Sequence, residues 1–222
     1  MEITWILFVP ALLLLFYPLD DLLRGQVRLR DYEGIRNDCY GSGDAWWRQP
    51  WVWVDPLRAF AGGWLLRHAW IVDPLMPEFW HDLPLSGMLV ILSVALGVQM
   101  HTRRDPDVLF APLGYSAGII LVLLSPQIAL LVIVLAGACL MAFRSWSAYF
   151  LCGALGAGAF GYLLLHELNF SIIAVFILLI EPLLISLLAG RELMLPLARP
   201  VARIHLDGFR ETRQETVRVS AR

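Results

Sequence analysis

The chain predicts an all-α membrane protein, a polytopic bundle of seven helices. Three observations predict it. Hydrophobic residues make up 59% of the 222 positions and mean hydropathy is +0.67, well above the 45–50% apolar share of soluble domains. The excess is gathered into long apolar runs, as lipid-spanning segments require. The arginines fall almost entirely between those runs and alternate in side, which is what a fixed topology leaves in a sequence.

Seven runs can be drawn: 3–19, 56–72, 84–100, 107–124, 127–143, 147–165 and 169–190. A spanning helix takes about 20 residues, with a range of about 17–25. The first run is short but holds no internal charge. The second contains Arg58, Arg67 and His68, so a six-helix alternative lays it flat at the interface, where its tryptophans would sit well. Pro84 and Pro126 stand near helix starts, where a missing N–H is harmless. Asp105-Pro106-Asp107 opens the fourth run with acidic groups suited to a helix N-terminus. The links Ser125-Pro126, Arg144-Ser145-Trp146 and His166-Glu167 are so short that runs four to seven must be consecutive antiparallel neighbours.

Orientation follows from arginine asymmetry. With the N-terminus outside, the 19–56 loop (Arg24, Arg28, Arg30, Arg36, Arg48), Arg103-Arg104, Arg144 and the C-terminal segment with seven arginines from Arg191 to Arg222 all fall inside. The outer segments Asp73–Leu83, Ser125-Pro126 and His166-Glu167 hold none. The bundle is expected over 1–198, including a Trp-rich cytoplasmic loop at 19–56, followed by a flexible basic cytoplasmic tail at 199–222 drawn to anionic lipid. Glu2 and the Phe16–Leu19 stretch do not suit a cleaved signal peptide, so the first run reads as a retained helix. All 17 basic residues are Arg and none is Lys, as in GC-rich bacterial genomes, and the expected location is a bacterial inner membrane.

In lipid, helices associate through close approach of small residues. Gly153, Ala157 and Gly161 recur at four-residue spacing in the sixth run, Gly114 and Gly118 form a GxxxG in the fourth, and Ser93 and Gly97 offer a similar pair in the third. These predict that helices three, four and six form the tight centre.

Glu181, inside the seventh run, is the one acid embedded deep in an apolar stretch. A charge at the bilayer centre costs roughly 2.5–3.5 kcal/mol on insertion scales, so such a group turns inward and is paired or protonated. Pro182 beside it frees the Leu178 carbonyl. Candidate partners are Arg67 and His68 of run two, about 10 Å away in depth at 1.5 Å per residue, and Tyr115 of run four. The candidate polar site is therefore Glu181, Arg67, His68 and Tyr115. It reads either as a protonatable or cation-coupling site or as a fixed pair setting helix register.

Other chemistry finds little support. Net charge is −2, with no basic footprint for nucleic acid. Cys39, Cys139 and Cys152 lack metal or disulfide spacing. His166, Glu167, His81 and Asp82 could meet outside, but their spacing is that of solvated loops. No HExxH, GxSxG or Walker A motif occurs, and no cofactor or metal is expected. The function expected is an accessory or scaffold subunit of a larger membrane complex, its partners being lipid and a membrane protein or a second copy. The alternative is a small transporter or channel using Glu181. An enzyme of lipid or polysaccharide metabolism would have to use the 20–55 loop.

Overall fold

The apolar runs become helices because a chain surrounded by hydrocarbon must satisfy its own backbone. A computed structural model describes residues 2–17, 26–29, 50–71, 79–101, 109–166 and 169–198. Among them are seven helices: α1 (Trp5–Phe16), α2 (Pro50–His68), α3 (Phe79–Met100), α4 (Leu113–Leu123), α5 (Pro126–Phe143), α6 (Trp146–Leu165) and α7 (Phe170–Ala189). Four of these, α3, α5, α6 and α7, are long and apolar enough to cross a membrane, while α1 and α4 are shorter apolar helices. The expected tail and most of the 19–56 loop, with Cys39, lie outside the described residues.

The turns follow from local chemistry. Pro126 occupies the first turn of α5. Asn169 caps α7, its side chain accepting from the Ile172 N–H at 3.1 Å, and Gly190 ends α7 at φ 62°. Arg144 and His166 close α5 and α6 in the left-handed region, at φ 54° and 58°. That conformation, uncommon for a side-chain-bearing residue, lets each helix reverse within a few residues.

Three expectations are corrected. α3 begins at Phe79, so Pro84 lies inside it instead of opening it. α2 runs from Pro50 to His68 with Pro56 inside, and it lies along α1 and α4 within the bundle. The described part of the fourth run, a run expected to be helical over 107–124, is helical only from Leu113. Its beginning is extended instead: Leu109–Phe110 (β4) pairs in parallel with Leu193–Ala198 (β5), which also pairs antiparallel with Gln26–Leu29 (β2). The Ala111 N–H donates to the Met194 carbonyl at 2.7 Å, so this buried stretch keeps its backbone bonds without being helical. At the opposite end Glu2–Ile3 (β1) pairs with Trp70–Ile71 (β3). An all-helical bundle thus carries a small sheet at each end.

The small residues are used in close contacts, but not where the sequence suggested. α4 lies parallel to α2, and a Cβ on Gly118 would stand 2.4 Å from the Pro56 carbonyl oxygen. One on Gly114 would stand 2.9 Å from Pro56 Cδ and 3.1 Å from Asp55 Oδ2. On α6, a Cβ at Gly161 would meet Ile172 of α7 at 2.5 Å, one at Gly153 would meet Leu179 at 3.3 Å and Ala136 of α5 at 3.4 Å, and Ala157 is fully buried. α6 is therefore wedged between α5 and α7, and α4 against α2, in place of a three–four–six centre.

The Gly118→Ala variant must push a backbone carbonyl aside, and overpacking of this kind costs about 1–3 kcal/mol. A thermal-unfolding midpoint in detergent should fall for Gly118→Ala. It should stay unchanged for Gly158→Ala, whose added Cβ meets nothing within 4 Å.

Candidate functional site

α4 begins inside the bundle, and its first N–H groups need acceptors. Its N-cap, Pro112, supplies no side-chain cap. The acceptor comes from α2: the Asp55 carboxylate accepts from the Tyr115 backbone N–H. Gly114 makes this possible, because any side chain there would collide with Asp55 and Pro56. One helical turn on, Arg58 donates to Asp55 Oδ1 at 2.7 Å. Arg58 also donates to the Tyr17 carbonyl, which ends α1. Gln99 of α3 reaches the same place, donating at 3.0 Å to the carbonyls of both Leu15 and Tyr17.

The electrostatic order is continuous. The C-terminus of α1 carries partial negative charge and the N-terminus of α4 partial positive charge. Arg58 sits against the first and Asp55 against the second, and they neutralise each other. Both are buried, 8% exposed each, where an unpaired charge would be severely destabilising. The Tyr115 ring packs under the guanidinium, with Cζ at 5.8 Å from the ring centroid, within cation–π range.

Glu181 lies within electrostatic reach of Tyr115. Ser93 of α3 hydrogen-bonds its side chain, and Gly97 faces its Oε1 (a Cβ there would lie 3.9 Å away). The Tyr115 hydroxyl and Glu181 Oε2 are both buried without a hydrogen-bond partner. Their charges would act on each other, and Asp55 and Arg58 lie within the same electrostatic neighbourhood. A small void against Leu96, Ser116 and Leu178 holds about 10 Å³, roughly what one water needs by the same measure.

Of the four residues expected to form the polar site, the structure brings Glu181 and Tyr115 together. It separates Arg67 and His68 from them. Arg67 donates to the Val122 carbonyl near the end of α4 at 2.9 Å, and His68 Nδ1 pairs with the Trp64 carbonyl one turn back, at 2.8 Å. The residues that join the cluster unannounced are Asp55, Arg58, Ser93 and Gln99. The four-residue window Asp55–Arg58 was the available signal: an acid and a base three apart at the foot of an apolar run are placed for an i,i+3 pair. Elsewhere, the free thiols of Cys139 and Cys152 meet across the α5–α6 interface. No group of three metal-ligating side chains occurs among the described residues. Compared with known proteins, the chain matches no family model, no curated protein and no solved structure.

Removing one member of a buried pair costs about 3–5 kcal/mol, whereas replacing both by apolar groups is often far less harmful. Asp55→Asn and Arg58→Met should each lower the unfolding midpoint sharply in detergent. The double variant Asp55→Leu/Arg58→Met should recover part of the loss. Additive losses would show that the two side chains act separately.

Proposed function

We propose that this protein is a multi-pass inner-membrane protein of seven crossings, N-terminus outside, serving as an accessory or scaffold subunit of a larger membrane assembly. The observation that carries this reading is how the polar groups inside the bundle are used. Arg58, Arg67 and Gln99 each donate to backbone carbonyls at or near the end of a neighbouring helix, and Asp55 receives the start of another. They brace the frame.

Seven crossings are supported by sidedness, four of them also by helix length. The 11 residues of α4 rise about 16 Å. The strand Leu109–Phe110 adds about 7 Å before the turn at Pro112, against a hydrocarbon core of roughly 30 Å. The strands β2, β4 and β5 come from three segments that the arginine rule assigns to one side, and they form one sheet. β1 and β3 come from segments on the other side and pair there.

Single cysteines in an otherwise cysteine-free chain test the orientation. Ser125→Cys should react with a membrane-impermeant maleimide added outside intact cells, and Ser145→Cys only after permeabilisation. Affinity purification from native membranes in mild detergent tests the role. A stoichiometric protein partner is expected, and a chain recovered alone overturns the accessory reading.

A second reading, a proton- or cation-coupled transporter, is favoured by one observation: Tyr115 and Glu181 hold unpartnered polar atoms beside the beginning of a short helix, the kind of place where carriers hold ions. On that reading Glu181→Gln, still expressed and folded, abolishes pH-driven flux in liposomes. If Glu181 is instead a structural counterion, the variant is lost from the membrane.

A further inference from the structure

Three of the four buried side-chain polar atoms that lack a hydrogen-bond partner among the described residues belong to one neighbourhood around Tyr115. They are Arg58 Nε, the Tyr115 hydroxyl and Glu181 Oε2. Arg58 is balanced by Asp55, but the described residues bring Glu181 no counter-charge. α3, α4 and α6 pack against α7. α3 offers Glu181 the Ser93 hydroxyl and α4 places the Tyr115 hydroxyl near it, both neutral groups. His81 and Asp82, the ionisable residues of α3, stand about 16–18 Å along the helix from Ser93. α6 carries no charged residue, and Glu181 is the only one on α7. Of the titratable side chains on α6, Tyr149 is turned to Ser116 and Leu113 of α4, Cys152 meets Cys139, and Tyr162 is exposed. A carboxylate without a counter-charge is expensive inside a bilayer, and a bound proton removes the charge. A hydroxyl both donates and accepts, so Ser93 can bond the carboxyl with its proton or without it.

The carboxyl is also within reach from outside the bundle. Glu181, Ser93 and Gly97 are each half-buried. Val94 and Val98 beside them on α3, and Ile177 and Leu184 a turn either side of Glu181 on α7, are exposed. The acid therefore extends from a buried oxygen, Oε2, toward a seam between α3 and α7 with an apolar rim. A metal ion fits this place poorly. The void between α3, α4 and α7 holds about 10 Å³, enough for one water but not for a hydrated cation. A stripped divalent ion takes about six or more oxygens, and the described residues bring one carboxylate and two hydroxyls.

We propose that Glu181 is a proton-binding site reached from the lipid-facing seam between α3 and α7, and that it takes a proton and no metal cation. The inference deepens the transport reading by naming its ion, and it stands on the Glu181 site whether or not the chain carries flux.

The test uses the full chain in phosphatidylcholine vesicles treated with dicyclohexylcarbodiimide, a lipid-soluble reagent. The carboxyl proton passes to a carbodiimide nitrogen, the carboxyl oxygen bonds to its central carbon, and the adduct rearranges to a stable N-acylurea. Peptide mass spectrometry should find the adduct on Glu181 in the wild type, and Glu181→Gln should lose it. The yield should be the same in sodium, potassium, magnesium and choline chloride of equal ionic strength. A water-soluble carbodiimide should leave Glu181 unmodified. Absence of the adduct from the wild type overturns the proposal, and this observation needs no variant to fold. Slower labelling in any of the metal salts than in choline chloride also overturns it, since a metal ion would then occupy the site. Equal labelling by the water-soluble reagent overturns the approach through the lipid seam. Full labelling without pH-driven flux would overturn the transport reading and leave the proton site standing.

Discussion

Two helix ends lie inside this bundle, and everything around them is arranged so that neither is left bare. The C-terminus of α1 presents carbonyls and the N-terminus of α4 presents N–H groups. In a medium without water, each orphan group costs several kcal/mol. Arg58 and Asp55, one turn apart on α2, answer both at once. Each charge is balanced by its neighbour and by a helix dipole. That balance explains how a helix carrying an arginine can lie within an apolar bundle.

The small residues and the charges are parts of a single device. Gly114 and Gly118 let the backbones of α2 and α4 approach until Pro56 and Asp55 touch α4 directly. Without that approach, Asp55 could not reach the Tyr115 N–H. The shortness of α4 belongs to the same arrangement. The chain before Pro112 is extended because its hydrogen bonds go to β5, and the helix must then start within the bundle. Tyr115, at that start, is within electrostatic reach of both the braced Arg58–Asp55 pair and the less satisfied Glu181.

The two ends of the molecule differ in character. One end has the β1–β3 pairing and the Ser125-Pro126 turn. The other collects β2, β4 and β5 in one sheet, with the α5–α6 turn and the end of α7. Exposed Leu, Val and Phe side chains cover the outer faces of α3, α5 and α7 between the ends, as a lipid-facing belt requires. A frame braced within and charged at one end is suited to holding a position in a membrane.

Much was legible from the sequence alone. Seven helices, their order, the reversals at Ser125-Pro126 and Arg144-Ser145, and the inward turn of Glu181 follow from hydropathy, prolines and the cost of burying a charge. These are properties of single segments, and a segment carries them wherever it packs. Pairings between segments were not legible. Nothing local to Arg67 says that it will donate to Val122 instead of reaching Glu181. Nothing local to Gly118 names α2 as its neighbour. Residues 109–111 look like part of an apolar helix until β5, more than eighty positions later, supplies their backbone partners. The sequence by itself determined which stretches are helical and which polar groups need partners, because these depend on composition and spacing. The tertiary structure alone decided which partners they found, because hydrogen bonds and close backbone approach depend on distances between residues far apart in the chain.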